Sequence, residues 1–541
     1  MATVVNFYGK SCVEPGSYAV SEYNPTSVVN VSEFGNVMII DNGDYQNKTQ
    51  GSNKLEFAGG SGINGELAKG LKAIYQFDEY NDFLSFMGGG VVADFAQYIF
   101  TPRPGQAGAP NVYYARAAKT TAGKITLTIG SGSLVLTCKN EGVAGNGVIE
   151  SGALKVGYAA QIVAGTDDSN KFKLQVYRGN YMGVDTAGEP IGSKSWAEAG
   201  GEMIAESDEF ATLGELYEFC SSNRYILNNF VVSKTGKDAT ALVAVTLTAA
   251  TGGTTTYMDS TEISDILEAI TELDISFFLV TTDSVNKGTQ AATWGKVFTF
   301  LKHDAKFTEF MVIPGGKDDT DLMGASNTSQ AIAKFYNSEQ VVVTHGAPIV
   351  TRKDGNGTKE LPAIYLAANI IGMVAGGQPQ TPLTFKRCGF DAFVYDLKKK
   401  ERIKALQAGI MHVRNVNGYW CVNQGVTTLQ DNKQTYAKDG QSMEFSIALI
   451  KAQLNKELVL EGEQRFVGQT ASEASPESVK NFTEAKLASF VATPQNNNLI
   501  LNWKNVGVKV KNSNYTITYD FTPNVPVNKL FFVGNVLDFT I

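Results

Sequence analysis

With only 5 cysteines and 3 histidines in 541 residues, the sequence lacks the usual means for several kinds of chemistry. Cys12, Cys138, Cys220, Cys388 and Cys421 are odd in number, scattered and free of any CxxC pair. They indicate neither a disulfide framework nor a zinc knuckle and are expected to be buried free thiols. His303, His345 and His412 have no second histidine or cysteine at metal-ligand spacing, which leaves them structural or surface roles. There is no GxSxG elbow, HExxH helix or Walker sequence, so nothing proposes catalysis cheaply. Positive charge is also in short supply, with 46 Lys and Arg against 54 Asp and Glu, a net charge of −8. Basic runs are short, which argues against a nucleic-acid partner that needs its phosphates neutralised. The longest apolar stretch, residues 363–375, falls short of the roughly 20 residues a membrane span requires. It is expected to be a buried helix, without direct membrane insertion. Met1 opens onto a polar, β-branched stretch with no basic or apolar leader, so a cytosolic origin is expected.

The composition is 43% hydrophobic and 18% charged, enough for large cores and, by length, about three or four domains. Two local patterns invite a ligand. Gly60-Ser61-Gly62-Ile63-Asn64-Gly65 satisfies GxGxxG, but a polar segment precedes it and chance matches are common among 54 glycines. It is expected to be a glycine-rich turn, and no cofactor is expected. Asp318, Asp319 and Asp321 follow Gly315-Gly316 and could cradle a hard cation. The simpler expectation is that they complement the dipole of the helix running toward Tyr336, with no metal.

Along the chain, residues 27–41 suggest a strand pair broken at Gly35, followed by helices over 66–77 and 91–100 and a strand over 111–116. The texture then changes. Residues 124–129, 133–137, 171–178, 225–232 and 241–249 suggest strands, and the run 251–256 suggests a linker. From residue 260 helical and buried-strand patterns alternate, which predicts βαβ units on a mostly parallel sheet. Pro362 and Gly376-Gly377 bracket the apolar helix, and later helices are expected over 399–408, 443–460 and 476–490. The fold class is thus α/β (α+β) and multidomain: a mixed-sheet core built from both chain ends, an α/β segment and an inserted β-rich outer domain. The expected divisions are 1–20, an N-terminal arm; 21–118, the first part of the core; 119–256, the outer domain; 257–360, the α/β domain; 361–523, the C-terminal core; and 524–541, a C-terminal arm.

Both ends of the chain are strand-like. Val4, Val5 and Phe7 lie at the front, and Leu530, Phe531, Phe532, Val533, Val536, Leu537 and Phe539 at the back. Such strands need partners. They either join copies of the chain by strand addition or pair within their own subunit.

The C-terminal half resembles the core of contractile tail sheath proteins from tailed phages and related injection machines. The resemblance rests on the small-residue helix 362–377, a short strand stretch over 386–395, and then Leu406, Gly409, Ile410, Arg414, Gly418, Thr427 and Thr428 in the segment 400–429. It continues through 454–468, 497–521 and 527–541 and reaches forward to the strand NVYYAR at 111–116. In the inserted module it covers only NEGVAGNG at 140–147, and the Trp often found there is missing, which leaves that fold open. The resemblance implies a non-enzymatic structural subunit that polymerises with itself, in hexameric rings, around an inner tail tube protein. It also implies baseplate and tail terminator proteins as partners and a place in the virion tail after assembly in the host cytoplasm. The densest positive run in this acidic chain, Lys398, Lys399, Lys400, Arg402 and Lys404, is the candidate tube contact, its alternative being an ordinary solvated helix face. Two other classes stay open: an α/β enzyme or ligand-binding protein using the sheet after residue 260, and a surface-layer or adhesin-type assembly protein.

Overall fold

A computed structural model describes residues 5–7, 10–12, 34–41, 74–87, 90–116, 118–142, 145–179, 201–257, 260–270, 273–280, 287–303, 309–324, 328–351, 357–429, 444–470, 472–493 and 498–524. Its centre is an eight-stranded sheet ordered Tyr419–Val422, Ile410–Val416, Val341–His345, Phe310–Pro314, Phe277–Val280, Val37–Asp41, Val112–Arg116, Tyr75–Phe77. The six inner strands are parallel. The two edge strands are antiparallel to their neighbours, so the sheet is mixed. The strand Ile410–Val416 extends the same sheet as the strands over 277–345, so the segments 257–360 and 361–523 share one hydrogen-bond ladder.

Parallel strands covered on both faces need apolar residues at every position. Val37 and Ile39 face one hydrophobic cluster and Met38 and Ile40 the other. Phe277 and Leu279 alternate in the same way with Phe278 and Val280. The first cluster is roofed by the helices Gly90–Phe100 and Ile364–Ala375, the second by Ser260–Ala269, Lys287–His303, Ser329–Tyr336 and Lys399–Gln407. The result is a three-layer α/β/α body.

The β-rich module leaves this body along Ala118–Ile129 and returns along Thr254–Tyr257, and those two strands pair antiparallel, Thr254 opposite Thr121 and Tyr257 opposite Ala118. Two four-stranded sheets, Gly201–Glu206 to Val245–Ala249 and Phe230–Thr235 to Thr254–Tyr257, enclose their own core of Ile125, Leu127, Leu136, Tyr158, Val176 and Phe230.

Four local expectations need correction. Tyr75–Phe77 is a strand rather than the end of a helix over 66–77: Tyr75 and Phe77 are buried while Gln76 reaches Asn111 at 3.0 Å, a period of two too short to stand out. Residues 225–229 are helical rather than strand, because Asn223 accepts hydrogen bonds from the amides of Tyr225 and Ile226 and so caps Arg224–Asn229. The linker expected over 251–256 is largely strand, since its threonines suit a ladder and Thr254–Tyr257 has a partner. The acidic trio does not open the helix that ends at Tyr336. That helix begins at Ser329 with Thr328 as its cap, while Asp318 accepts from the amide of Thr320 and caps its own short turn. No cluster of metal-ligating side chains occurs among the described residues.

The helix Ile364–Ala375 is buried at every residue, as its composition predicted. It crosses Gly90–Phe100 closely because position 372 is glycine: a Cβ there would stand 2.2 Å from the carbonyl oxygen of Tyr98. Gly372→Ala is therefore expected to destabilise the core by about 1–3 kcal/mol, read as earlier urea unfolding. An unchanged midpoint would show that the two helices separate at little cost.

His345 and His412 sit side by side on adjacent parallel strands, 2% and 1% exposed. His345 Nδ1 lies 2.8 Å from Ser329 Oγ, and the Gly316 amide donates to that hydroxyl. Burial drives His345 down to about 4 against the opposing pull of Asp321, Asp318 and Asp319. Burial also takes His412 down to about 3, helped by His345, Arg402 and Arg414 and opposed by a bond to the Ile410 carbonyl. Both rings are neutral in the folded state, so between about pH 4 and the usual value near 6.5 the unfolded chain binds more protons. Stability is accordingly complete above about pH 6.5 and falls as the pH drops toward 4, by about 2 kcal/mol per ring at pH 5. Hydrogen exchange of Val341–His345 and Ile410–Val416 at pH 7 and pH 5 should register the loss. His412→Leu should remove about half of it, and an unchanged pH response in that variant would exclude this ring as a contributor.

Candidate assembly interface

A long, partly exposed hairpin is formed by Ile500–Lys511 and Asn514–Pro523, twelve and ten residues long. Its base is anchored: Ile500 and Phe521 are buried with Ile450, Leu454, Leu487 and Phe490. Val506, Trp503 and Tyr519 pack on the same cluster, while Leu501 is 50%, Val510 43% and Ile517 41% exposed. Among the described residues its only further strand contact is a single bridge from Ile500 to Val491. A two-stranded ribbon is marginal alone, and its open edges offer unpaired amides and carbonyls to an incoming strand.

What fixes the hairpin to the sheet is the helix Phe445–Phe466, which buries charge as well as carbon. Lys451 pairs with Glu339 at 2.8 Å, Lys456 with Asp274, and Lys486 of the following helix Pro476–Ser489 with Glu457 at 3.0 Å. Asp274 and Glu339 immediately precede the strands Phe277–Val280 and Val341–His345. Lys451 and Lys456 are buried while Glu339 and Asp274 stay partly exposed; such a pair adds little net stability, but removing the carboxylate would strand a buried ammonium. These pairs therefore fix orientation more than they add stability.

Of the residues expected in the chain-end arms, Val5–Phe7 is a strand paired antiparallel with Lys10–Cys12, Val5 opposite Cys12 and Phe7 opposite Lys10. Val4 lies outside the described residues, as do Leu530, Phe531, Phe532, Val533, Val536, Leu537 and Phe539 and the glycine run 60–65.

The basic run sits where expected, at the start of the helix Lys399–Gln407, but its charges diverge. Glu401 accepts from the Lys398 amide at 2.6 Å and opens the helix, and the Lys398 ammonium is held above its ordinary pKa by Tyr395. Arg402 turns inward, donating to the Leu397 carbonyl and facing Asp396 at 3.7 Å. Lys399, Lys400 and Lys404 remain exposed, beside Ile403, which is 47% exposed. The helix is followed by Gly409, whose φ of +72° turns the chain into Ile410–Val416; a Cβ there would meet the Thr427 carbonyl at 2.7 Å.

Cys138, Cys220, Cys388 and Cys421 are free and buried, and burial raises Cys138 and Cys220 to about 12, so they are inert. No described helix is long and apolar enough to cross a membrane.

No family model matches the chain. In sequence it is similar to the tail sheath protein of Bacillus phage SP01, 25% identical over 268 residues, which is 49% of this chain and 44% of that protein. The chain thus matches less than half the length of that curated relative. In structure it is similar to the sheath tail protein of Desulfitobacterium hafniense, with a TM-score of 0.53 and 14% identity over 93% of this chain and 99% of that one. The sheath tail protein of Listeria innocua aligns at a TM-score of 0.48, 12% identity, 91% of this chain and 96% of that one. The chain has the fold of a solved sheath tail protein across nearly its whole length, and over about half of it the sequence is similar to a phage tail sheath protein.

Proposed function

We propose that this chain is the structural subunit of a contractile tail sheath. It polymerises as stacked rings around an inner tube and shortens to drive that tube through a cell envelope. One observation carries the proposal: the fold shared with a solved sheath tail protein spans both chains almost entirely, so it includes the module and the hairpin as well as the common α/β body. The sequence likeness to a phage tail sheath protein supports the same reading. On it, the chain has no catalytic role, the tube, baseplate and terminator proteins are partners, and the product is a virion tail or tail-like particle. The exposed hairpin suits the acceptor of strands from neighbouring subunits, with the chain-end arms as donors. Main-chain ladders persist while side-chain contacts repack, which lets subunits rotate without separating.

Electron microscopy of the purified protein should show long tubes, and a small soluble oligomer as the sole product would overturn the proposal. Removing residues 530–541 should leave a folded monomer that no longer polymerises. If the truncated protein unfolds instead, that strand belongs to its own subunit.

The tube contact is proposed to be polar, because a surface that must release and slide cannot bury a large apolar patch. The exposed Lys399 and Lys400 fit that role. Lys399→Glu with Lys400→Glu should block growth on tubes while sparing tube-free assembly. Normal co-assembly of the double variant in low salt, where attraction between charges is least screened, would exclude this helix.

A further inference from the structure

The two ends of the large sheet carry opposite, unpaired charge. At one end the segment 385–388 runs beside the edge strand Tyr419–Val422, the amides of Val422 and Cys388 donating to the carbonyls of Lys386 and Trp420 at 2.9 Å each. In this ladder Arg387 lies opposite Cys421 and Cys421 opposite Arg414. Laterally paired residues share a face, so the two guanidiniums flank one thiol. Arg103 joins them from the turn after Gly90–Phe100: all three arginines lower the Cys421 pKa against the dominant effect of burial, which raises it.

This face is held open at a cost. Arg387 lies over the Tyr419 ring at 4.1 Å and Arg414 over the Phe385 ring at 4.4 Å, yet both rings are 51% exposed. Phe385 adopts φ +60°, a left-handed conformation that costs a bulky side chain about 1–3 kcal/mol. The Nε of Arg414 is buried without a hydrogen-bond acceptor. Among the described residues none of the three arginines has a carboxylate partner.

At the other end, the edge strand Tyr75–Phe77 runs directly into Asp78 and Glu79, and Asp82 follows in the first turn of the helix Tyr80–Met87, all exposed and without a cationic partner among the described residues. Eight strands at about 4.8 Å spacing separate the two ends by roughly 34 Å, several Debye lengths at physiological salt. The two sets therefore cannot neutralise each other within one subunit.

We propose that the Arg387–Arg414–Arg103 face docks the Asp78–Glu79–Asp82 turn of a second copy, so that the sheets of neighbouring subunits meet end to end through charge. Such a contact joins two different surfaces and so is heterologous, the type that closes into rings or extends into helices. It rests on the self-assembly reading above and adds to it a specific lateral surface. The acidic trio is the chosen occupant because the chain, at net −8, repels copies of itself unless its few cationic faces are matched.

The test is a charge swap in the full-length protein. Arg387→Glu with Arg414→Glu, and separately Asp78→Lys with Glu79→Lys and Asp82→Lys, should each raise the concentration needed for tube formation by about tenfold or more. Each variant should remain a folded monomer by circular dichroism and light scattering. Mixing the two variants, or combining both swaps in one chain, should restore assembly, since either arrangement again sets opposite charges face to face. A folding defect in one variant could not be repaired by mixing. Failure of both the mixture and the combined chain to assemble would overturn the proposal. So would unimpaired assembly of either single-edge variant, or a loss confined to tube binding, which would assign the face to a different partner. Absence of tubes from the unaltered protein would instead defeat the self-assembly reading itself.

Discussion

The whole structure depends on one backbone ladder. Six parallel strands drawn from residues 37–41, 112–116, 277–280, 310–314, 341–345 and 410–416 must lie in register, and more than 150 residues separate two of those that touch, Phe277–Val280 and Val37–Asp41. Their side chains fill both faces, so a slip of one residue would exchange the two cores. The Asn36 side chain accepts from Asn111 and donates to the Asp274 carbonyl at 3.0 and 2.8 Å. It thereby ties together the starts of three strands from distant parts of the sequence. Because that register is fixed, the chain can leave the sheet after Arg116, build a separate β-rich body and return beside its exit, since the Thr254–Tyr257 ladder holds the two connections together.

Much of this was legible in the sequence where pattern and length agree. The alternation after residue 260 and the apolar helix beginning beyond Pro362 are strong local signals, and their elements form where expected. The failures share a cause. Tyr75–Phe77 and Arg224–Asn229 are too short to show a period, and what decides them is a partner strand or a capping asparagine. The three aspartates suggested a helix start by composition, whereas the actual start belongs to Thr328. The positive run was found by counting, but counting cannot show that Arg402 turns inward while Lys399, Lys400 and Lys404 do not. No local pattern reveals that Arg387 and Arg414, 27 positions apart, stand on either side of one cysteine. That placement is a property of strand pairing, and sequence distance conceals it.

Where the structure protects its edges and where it leaves them open is also instructive. The large sheet ends in strands of only three and four residues, one of them followed by acidic residues and the other flanked by the segment 385–388. Short, charged edges are how sheets avoid indiscriminate pairing. The hairpin over 500–523 is three times as long and bears exposed Leu501, Val510 and Ile517 between the exposed charges of Lys504, Lys509 and Lys511. The large sheet is thus blunted at both edges, while the ribbon offers a longer main-chain edge.

That division suits a polymer whose subunits must move against one another. Strand addition is strong and directional, since each residue added contributes backbone hydrogen bonds, and it tolerates rotation if the connecting segments bend. Contacts between charged faces are weaker, fall with salt and exchange partners readily. On the proposed reading, the hairpin therefore keeps neighbours attached while the ends of the sheet set their lateral register. The part-buried pairs Lys451–Glu339 and Lys456–Asp274 link these two functions. They join the helix that carries the hairpin base to the starts of two central strands, so a pull on the ribbon is delivered to the middle of the sheet rather than absorbed by a loop. A half-buried ion pair is a poor means of adding stability. Its advantage is geometric, because an ion pair has one satisfied arrangement and a sliding helix would break it.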